Sequence, residues 1–190
     1  MTAEPVTTDQ SALTEDDVRR IVKEELGTAL RKDTGMRTGA IVASKGTLDW
    51  AYPPLILANA AAAVGMQVSV FFTFYGLNIV HKEFERKLKV DPVGNPAMPM
   101  PVPMPDLVTA MPGMVSVASR MMKKKFADKK VSSIGELIET AREMDVRLIA
   151  CQMTVDVFGY EQSDFLDGVE FGGAAAFMAE ARKSNLTLFV

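Results

Sequence analysis

Apolar and polar positions along the chain alternate between helical stripes and short buried runs. Val18, Ile21, Val22, Leu26, Ala29 and Leu30 recur at helical spacing behind Thr14-Glu15-Asp16-Asp17, a capping-type start. They predict an amphipathic helix over 14–32 that needs a surface to cover its stripe. The period then changes. Thr38 to Ala43 is a short apolar run ending in Ser44-Lys45-Gly46-Thr47, which reads as a buried strand and a turn. A helix to about Val64 follows, with Pro53 and Pro54 in its first turn, or at a kink if it begins at Leu48. Gly65 suits its C-terminal cap. Gln67 to Phe74 predicts a second strand and Leu77 to Leu88 a second helix, whose wet face carries Lys82, Glu83, Glu85, Arg86 and Lys87.

Asp91 to Met114 breaks the alternation, holding seven of the ten prolines and five of the thirteen methionines. Proline at every second position forbids helix and favours extended chain. A helix over 114–126 ends in a basic run, and Ser133-x-x-Glu136 opens another helix ending near Asp145. Val146 to Ala150 is a third strand delivering Cys151. One or two helical turns follow, ending before Gly159. A short strand over 167–171, a helix over 174–182 and a last strand over 186–190 complete the chain. Strands alternating with helices predict a parallel sheet covered on both faces. The expected organisation is a tail and helix over 1–34, then one α/β domain over 35–190 with an insertion at about 91–114.

Tyr52 to Gly76 carries no formal charge and is long enough to span a membrane. Gly65 splits it into an Ala/Leu-rich half and a β-branched, aromatic half, and Asn59 and Gln67 add polar cost, so a buried helix followed by a buried strand is expected instead. The N-terminus has no basic region ahead of an apolar one, so no signal peptide is read. A net charge of −3 argues against nucleic acid as a partner. One cysteine excludes an intrachain disulfide, which suits the cytoplasm. One histidine, His81, leaves no His-built metal site and reads as a surface or subunit-contact residue.

Cys151 stands where an open parallel sheet presents its chemistry, at the carboxyl end of a strand. A helix start there offers unpaired N–H groups and a favourable dipole, which stabilise a thiolate, the nucleophilic form. Such a sulfur, facing backbone amides and reachable from outside, can carry a persulfide without a second cysteine. The plain alternative is a small buried hydrophobe.

Leu148-Ile149-Ala150-Cys151-Gln152-Met153-Thr154-Val155-Asp156-Val157-Phe158-Gly159 resembles the cysteine motif of the DsrE/DsrF-like family of sulfur-relay proteins. Asp167 to Gly173, Leu57 to Met66 and Phe71 to Leu77 agree with it in the right order, so the resemblance covers about 37–190. The Met/Pro-rich insertion resembles a branch found beside rhodaneses and TusA-type carriers. The resemblance implies a flavodoxin-like sheet of about five strands and association into trimers or hexamers. It also implies a cysteine that accepts and passes on sulfane sulfur, mapped to Cys151, with TusA-like and rhodanese-like partners. No cofactor or metal is implied. The activity is sulfurtransferase-like carriage rather than multi-turnover catalysis.

Other residues expected near the sulfur are Ser44, Lys45 and Gly46, as an anion-holding turn, Tyr75 and Gly76 after the second strand, Gln152 and Met153 beside the cysteine, and Gly173 at the last helix. Asp49 and Asp156 are polar neighbours or helix caps; a carboxylate beside Cys151 would oppose thiolate formation. Lys123, Lys124, Lys125, Lys129 and Lys130 either steer an acidic carrier or form a solvated helix end. Two other functions fit the residues alone: an oligomeric interaction protein with a structural cysteine, and a small-ligand-binding module, against which the missing Gly-rich fingerprint speaks.

Overall fold

Five short apolar runs become five parallel strands in the order β4-β3-β2-β1-β5. The computed structural model describes residues 35, 37–91 and 113–190. The helix expected over 14–32 and the proline-rich stretch between Asp91 and Gly113 lie outside them. β1 (Thr38–Ala43) leads into α1 (Leu48–Ala63), then β2 (Gln67–Phe72). A 3-10 turn (Phe74–Gly76), α2 (Leu77–Val80), α3 (Phe84–Lys87), α4 (Met114–Asp128) and α5 (Ile134–Glu143) precede β3 (Arg147–Cys151). The chain then runs through α6 (Gln152–Phe158), β4 (Glu170–Gly172), α7 (Ala174–Ala181) and β5 (Leu186–Phe189).

Strand alternation assigns every second residue to one face. Ile41, Ala43, Val70, Phe72, Leu148 and Ala150 join α1 and α5 in the larger core. Ala40, Val42, Phe71, Ile149 and Cys151 face the other way and meet Phe177 of α7. The two faces are therefore covered unequally. On the first, α1 buries Leu48, Ala51, Tyr52, Leu55, Ala58 and Asn59, one helical stripe. The Asn59 amide donates to the Leu137 carbonyl at 2.9 Å and ties α1 to α5. On the second face Phe177 is the one residue of α7 that is fully buried.

Local signals behave as their chemistry requires. Gly65, at φ 85°, sits past α1; its N–H reaches the Ala62 carbonyl at 2.8 Å, and the Met66 N–H reaches that of Ala61 at 3.1 Å. These bonds end the helix and separate the two halves of the uncharged stretch. Among the described residues no helix is long and apolar enough to cross a membrane. The Ser133–Glu136 capping box forms in both directions, at 3.3 and 2.7 Å.

α1 begins at Leu48, the second of the two starts that the sequence allows, which puts Pro53 and Pro54 in its second turn. Three expectations need correction. β2 ends at Phe72 rather than Phe74, because Phe74 takes φ 47°, a left-handed conformation that no strand continues. The helix expected over 77–88 breaks at His81, which is extended and pairs with Phe165. His81 is buried, not a surface residue: its ring packs edge-on against Tyr160 and Phe165.

Candidate functional site

Cys151 is the last residue of β3 and the N-cap of α6. The strand passes directly into the helix, so the sulfur stands where the first N–H groups of α6 lack helical partners. Those of Met153 and Thr154 act on it. Parallel register supplies the rest. Phe72 pairs with Ala150 and Cys151 with Gly172. The residue after Phe72, Thr73, thus comes beside Cys151. The Thr73 and Thr154 hydroxyl oxygens are 3.3 Å apart, and the Phe74 N–H donates to Thr154 Oγ1 at 3.4 Å. That donation uses a lone pair of Thr154 Oγ1 and leaves its one hydrogen for the sulfur or for Thr73 Oγ1.

Burial raises the thiol pKa. The Thr154 hydroxyl and N–H, the Thr73 hydroxyl and the Met153 N–H lower it, and the thiol ends below its ordinary value. Hydrogen bonds to the charged form thus outweigh the cost of desolvating it. Neither threonine stands out in the sequence as a candidate. Thr154 has a readable signal, since a hydroxyl three residues after an N-cap faces back toward it. Thr73 has none, because only strand register brings it there.

The residues singled out in the sequence gather at the same rim but mostly serve one another. Ser44 Oγ donates to the Val190 carbonyl at 3.2 Å. Lys45 Nζ lies 3.2 Å from the centre of the Trp50 ring, a cation–π contact, and is not among the groups that act on the thiol. A Cβ on Gly46 would overlap the Tyr75 carbonyl, and one on Gly76 the Ala43 carbonyl. These glycines let the loops after β1 and β2 touch, sealed by Thr73 N–H to Ala43 at 3.0 Å and Gly76 N–H to Ser44 at 3.2 Å. The Tyr75 ring leans on Phe158 at 5.7 Å. Gln152 donates to Asp156 at 2.7 Å, which occupies that carboxylate, and accepts from Gln162 at 3.2 Å. Met153 contributes its N–H while its side chain is exposed. Gly173 is the N-cap of α7, one residue past the Gly172 that pairs with Cys151.

The sulfur faces amides as expected, but it is not open to solvent. Cys151 is 3% exposed. The cover comes from the second face, where Cys151 shares a cluster with Val42, Phe71, Ile149 and Phe177. Phe177 stacks on Phe71 at 4.9 Å. One guanidinium holds the same helix. Arg147 on β3 makes two bonds to Glu170 on β4, at 2.9 and 2.7 Å, and a third contact of 3.2 Å to Glu180 on α7.

A family model described as DsrE/DsrF/DrsH-like matches residues 36–189. Over 155 residues the chain is 52% identical to a protein of Allochromatium vinosum named sulfur carrier protein DsrE2, covering 80% of this chain and 96% of that one. It is 31% identical over 160 residues to the uncharacterized protein YrkE of Bacillus subtilis, covering 79% of this chain and 94% of the relative. The crystal structure of the ychN protein from E. coli matches with a TM-score of 0.50 at 14% identity, over 82% of this chain and 100% of that one, and so shares the fold.

Proposed function

The chain belongs to the DsrE/DsrF/DrsH-like family, and from that premise we propose that it is a sulfur-relay protein carrying sulfane sulfur as a persulfide on Cys151. One observation supports this most: a lone thiol at a strand end, held below its ordinary pKa by two threonine hydroxyls and two backbone N–H groups. In the uptake step the Cys151 thiolate attacks the outer sulfur of a donor persulfide. The S–S bond of the donor breaks, its own sulfur leaves as a thiolate, and Cys151 keeps the transferred sulfur as Cys–S–SH. Handing it on is the same exchange in reverse, with an acceptor thiolate attacking. No net oxidant is needed. TusA-like and rhodanese-like proteins are the donors and acceptors in this reading, and the cytoplasm is its setting. Ser44, Gly46, Gly76 and Gly173 shape the rim in this scheme rather than touch the sulfur.

The burial of Cys151 favours a second reading, an interaction protein whose cysteine only packs. Intact mass after exposure to polysulfide or thiosulfate separates the two. The relay reading expects an adduct of ~32 Da per sulfur, removed by dithiothreitol and missing in Cys151→Ser. No adduct with either donor, together with slow labelling of the native thiol, leaves the packing role.

A further inference from the structure

We propose that the cleft beneath α4 is a docking surface for a protein segment in which acidic residues flank large apolar side chains. The inference rests on the relay reading for its purpose but on separate residues. A cleft of about 470 Å³ opens between the first turn of α1, α3, the second half of α4 and the start of α5. Leu48, Tyr52, Phe84, Leu88, Phe126 and Ala127 line it, with Lys123 and Lys130 among its walls. From 123 to 130, five lysines stand against one aspartate, Asp128, in a chain whose net charge is −3. All five are exposed, and among the described residues none forms an ion pair. Glu85 and Glu136 at the cleft, with Asp128, offset three of the five lysines and leave the cleft and the end of α4 net basic, although among the described residues none of the three pairs with a lysine. Glu136 is taken up capping Ser133, at 2.7 and 3.1 Å. Lys123 Nζ reaches the Glu85 carbonyl oxygen, 3.3 Å away.

The shape selects the occupant. An acidic small molecule would have no use for the apolar floor. Bases need open ring faces to stack on, yet Tyr52 and Phe126 pack against each other at 4.7 Å. A lipid surface suits a flat basic patch better than a recess. A recess with a basic rim suits one or two Leu- or Phe-sized side chains carried between carboxylates, with the lysines steering the encounter. In a parallel sheet the connecting helices run against the strands, so the starts of α1 and α5 lie at the same end of the sheet as Cys151, although on the first face while the cysteine faces the second.

The test is fluorescence anisotropy with a labelled ten-residue peptide of alternating acidic and Leu-Phe pairs, on the full chain. Saturable binding is expected, weakening about fivefold or more between low and high salt. Lys123→Glu with Lys130→Glu should weaken it about tenfold or more. Ala127→Phe, which fills the cleft without altering charge, should do the same. Lys123→Gln with Lys130→Gln replaces the first variant if that one fails to fold. Unchanged binding in the lysine variants or in Ala127→Phe overturns the proposal. So does tighter capture of phosphatidylserine vesicles lost in the same variants, or a changed oligomeric state in them. Polysulfide loading of Cys151 keeps the two ideas apart. Lost docking with normal loading sinks only the docking surface. Normal docking without loading sinks only the relay.

Discussion

Thr154 carries more of the chemistry than the residues nearest Cys151 in composition would suggest. Its hydroxyl accepts from the Phe74 N–H and is among the groups that lower the thiol pKa. A hydrogen bond to a charged group is worth about 1.5–3 kcal/mol. Thr154→Val should therefore slow iodoacetamide labelling at pH 7 by roughly tenfold, with the midpoint of its pH profile moved up, while Thr154→Ser restores both. Equal profiles in all three proteins would remove the threonine from the account. His81 offers a second residue-level check. Burial, then the charge of Lys87, push its pKa below the ordinary 6.5 against the opposing pull of Asp164 and Glu83. A depressed histidine gives full stability above about pH 6.5 and loses it as the pH falls, because the unfolded chain takes up the proton first. As the only histidine in the chain, it should account for a fall in Tm as the pH drops from about 6.5 to 5.5. His81→Asn keeps an acceptor for the Glu83 N–H, which now meets Nδ1 at 3.0 Å. It should flatten that slope, and an unchanged slope would assign the effect elsewhere.

α7 covers the sheet face that Cys151 shares. It touches the second sheet face through Phe177 and the far end of β3 through the Arg147–Glu180 contact. Little else of it is buried, since Ala174, Ala175, Ala176 and Met178 are exposed. A helix held by Phe177, Ala181 and the Arg147–Glu180 contact makes none of these contacts with the larger core, and its N-cap Gly173 is exposed beside the strand end. Phe177→Ala should raise the rate of thiol labelling by about tenfold or more, as a cavity replaces the stacked ring. Ile138→Ala opens a comparable defect on the first face and serves as the control. Equal acceleration in both would mean that labelling follows global unfolding, not movement of α7.

The molecule as a whole presents a nearly bare edge. Among the described residues β5 pairs only with β1, and Phe189 on it is 78% exposed. Exposed edge strands with large apolar side chains invite a partner. Self-association, proposed here as trimers or hexamers, should appear in native mass spectrometry as multiples of 20.7 kDa. Phe189→Lys should shift the population toward the single chain by about tenfold or more if this edge takes part, since a buried unpaired charge is costly. The same assembly in both proteins would place the contact on another surface. Charge on α4 and apolar surface on β5 can be tested separately.

Sequence periodicity alone specified the strand and helix succession, the glycine that divides the uncharged stretch, the capping box at Ser133 and the strand end that delivers Cys151. These are local choices, made by side-chain alternation and by the conformations that glycine and proline allow or forbid. Cross-strand register, in contrast, is a tertiary quantity. It brought Thr73 to the sulfur, and no spacing within one segment encodes that. Burial of Cys151 and His81 likewise depended on which distant helix or loop covers each face. A residue's neighbours along the chain dictate its conformation, but its solvent and its proton affinity are set by what packs on it from elsewhere.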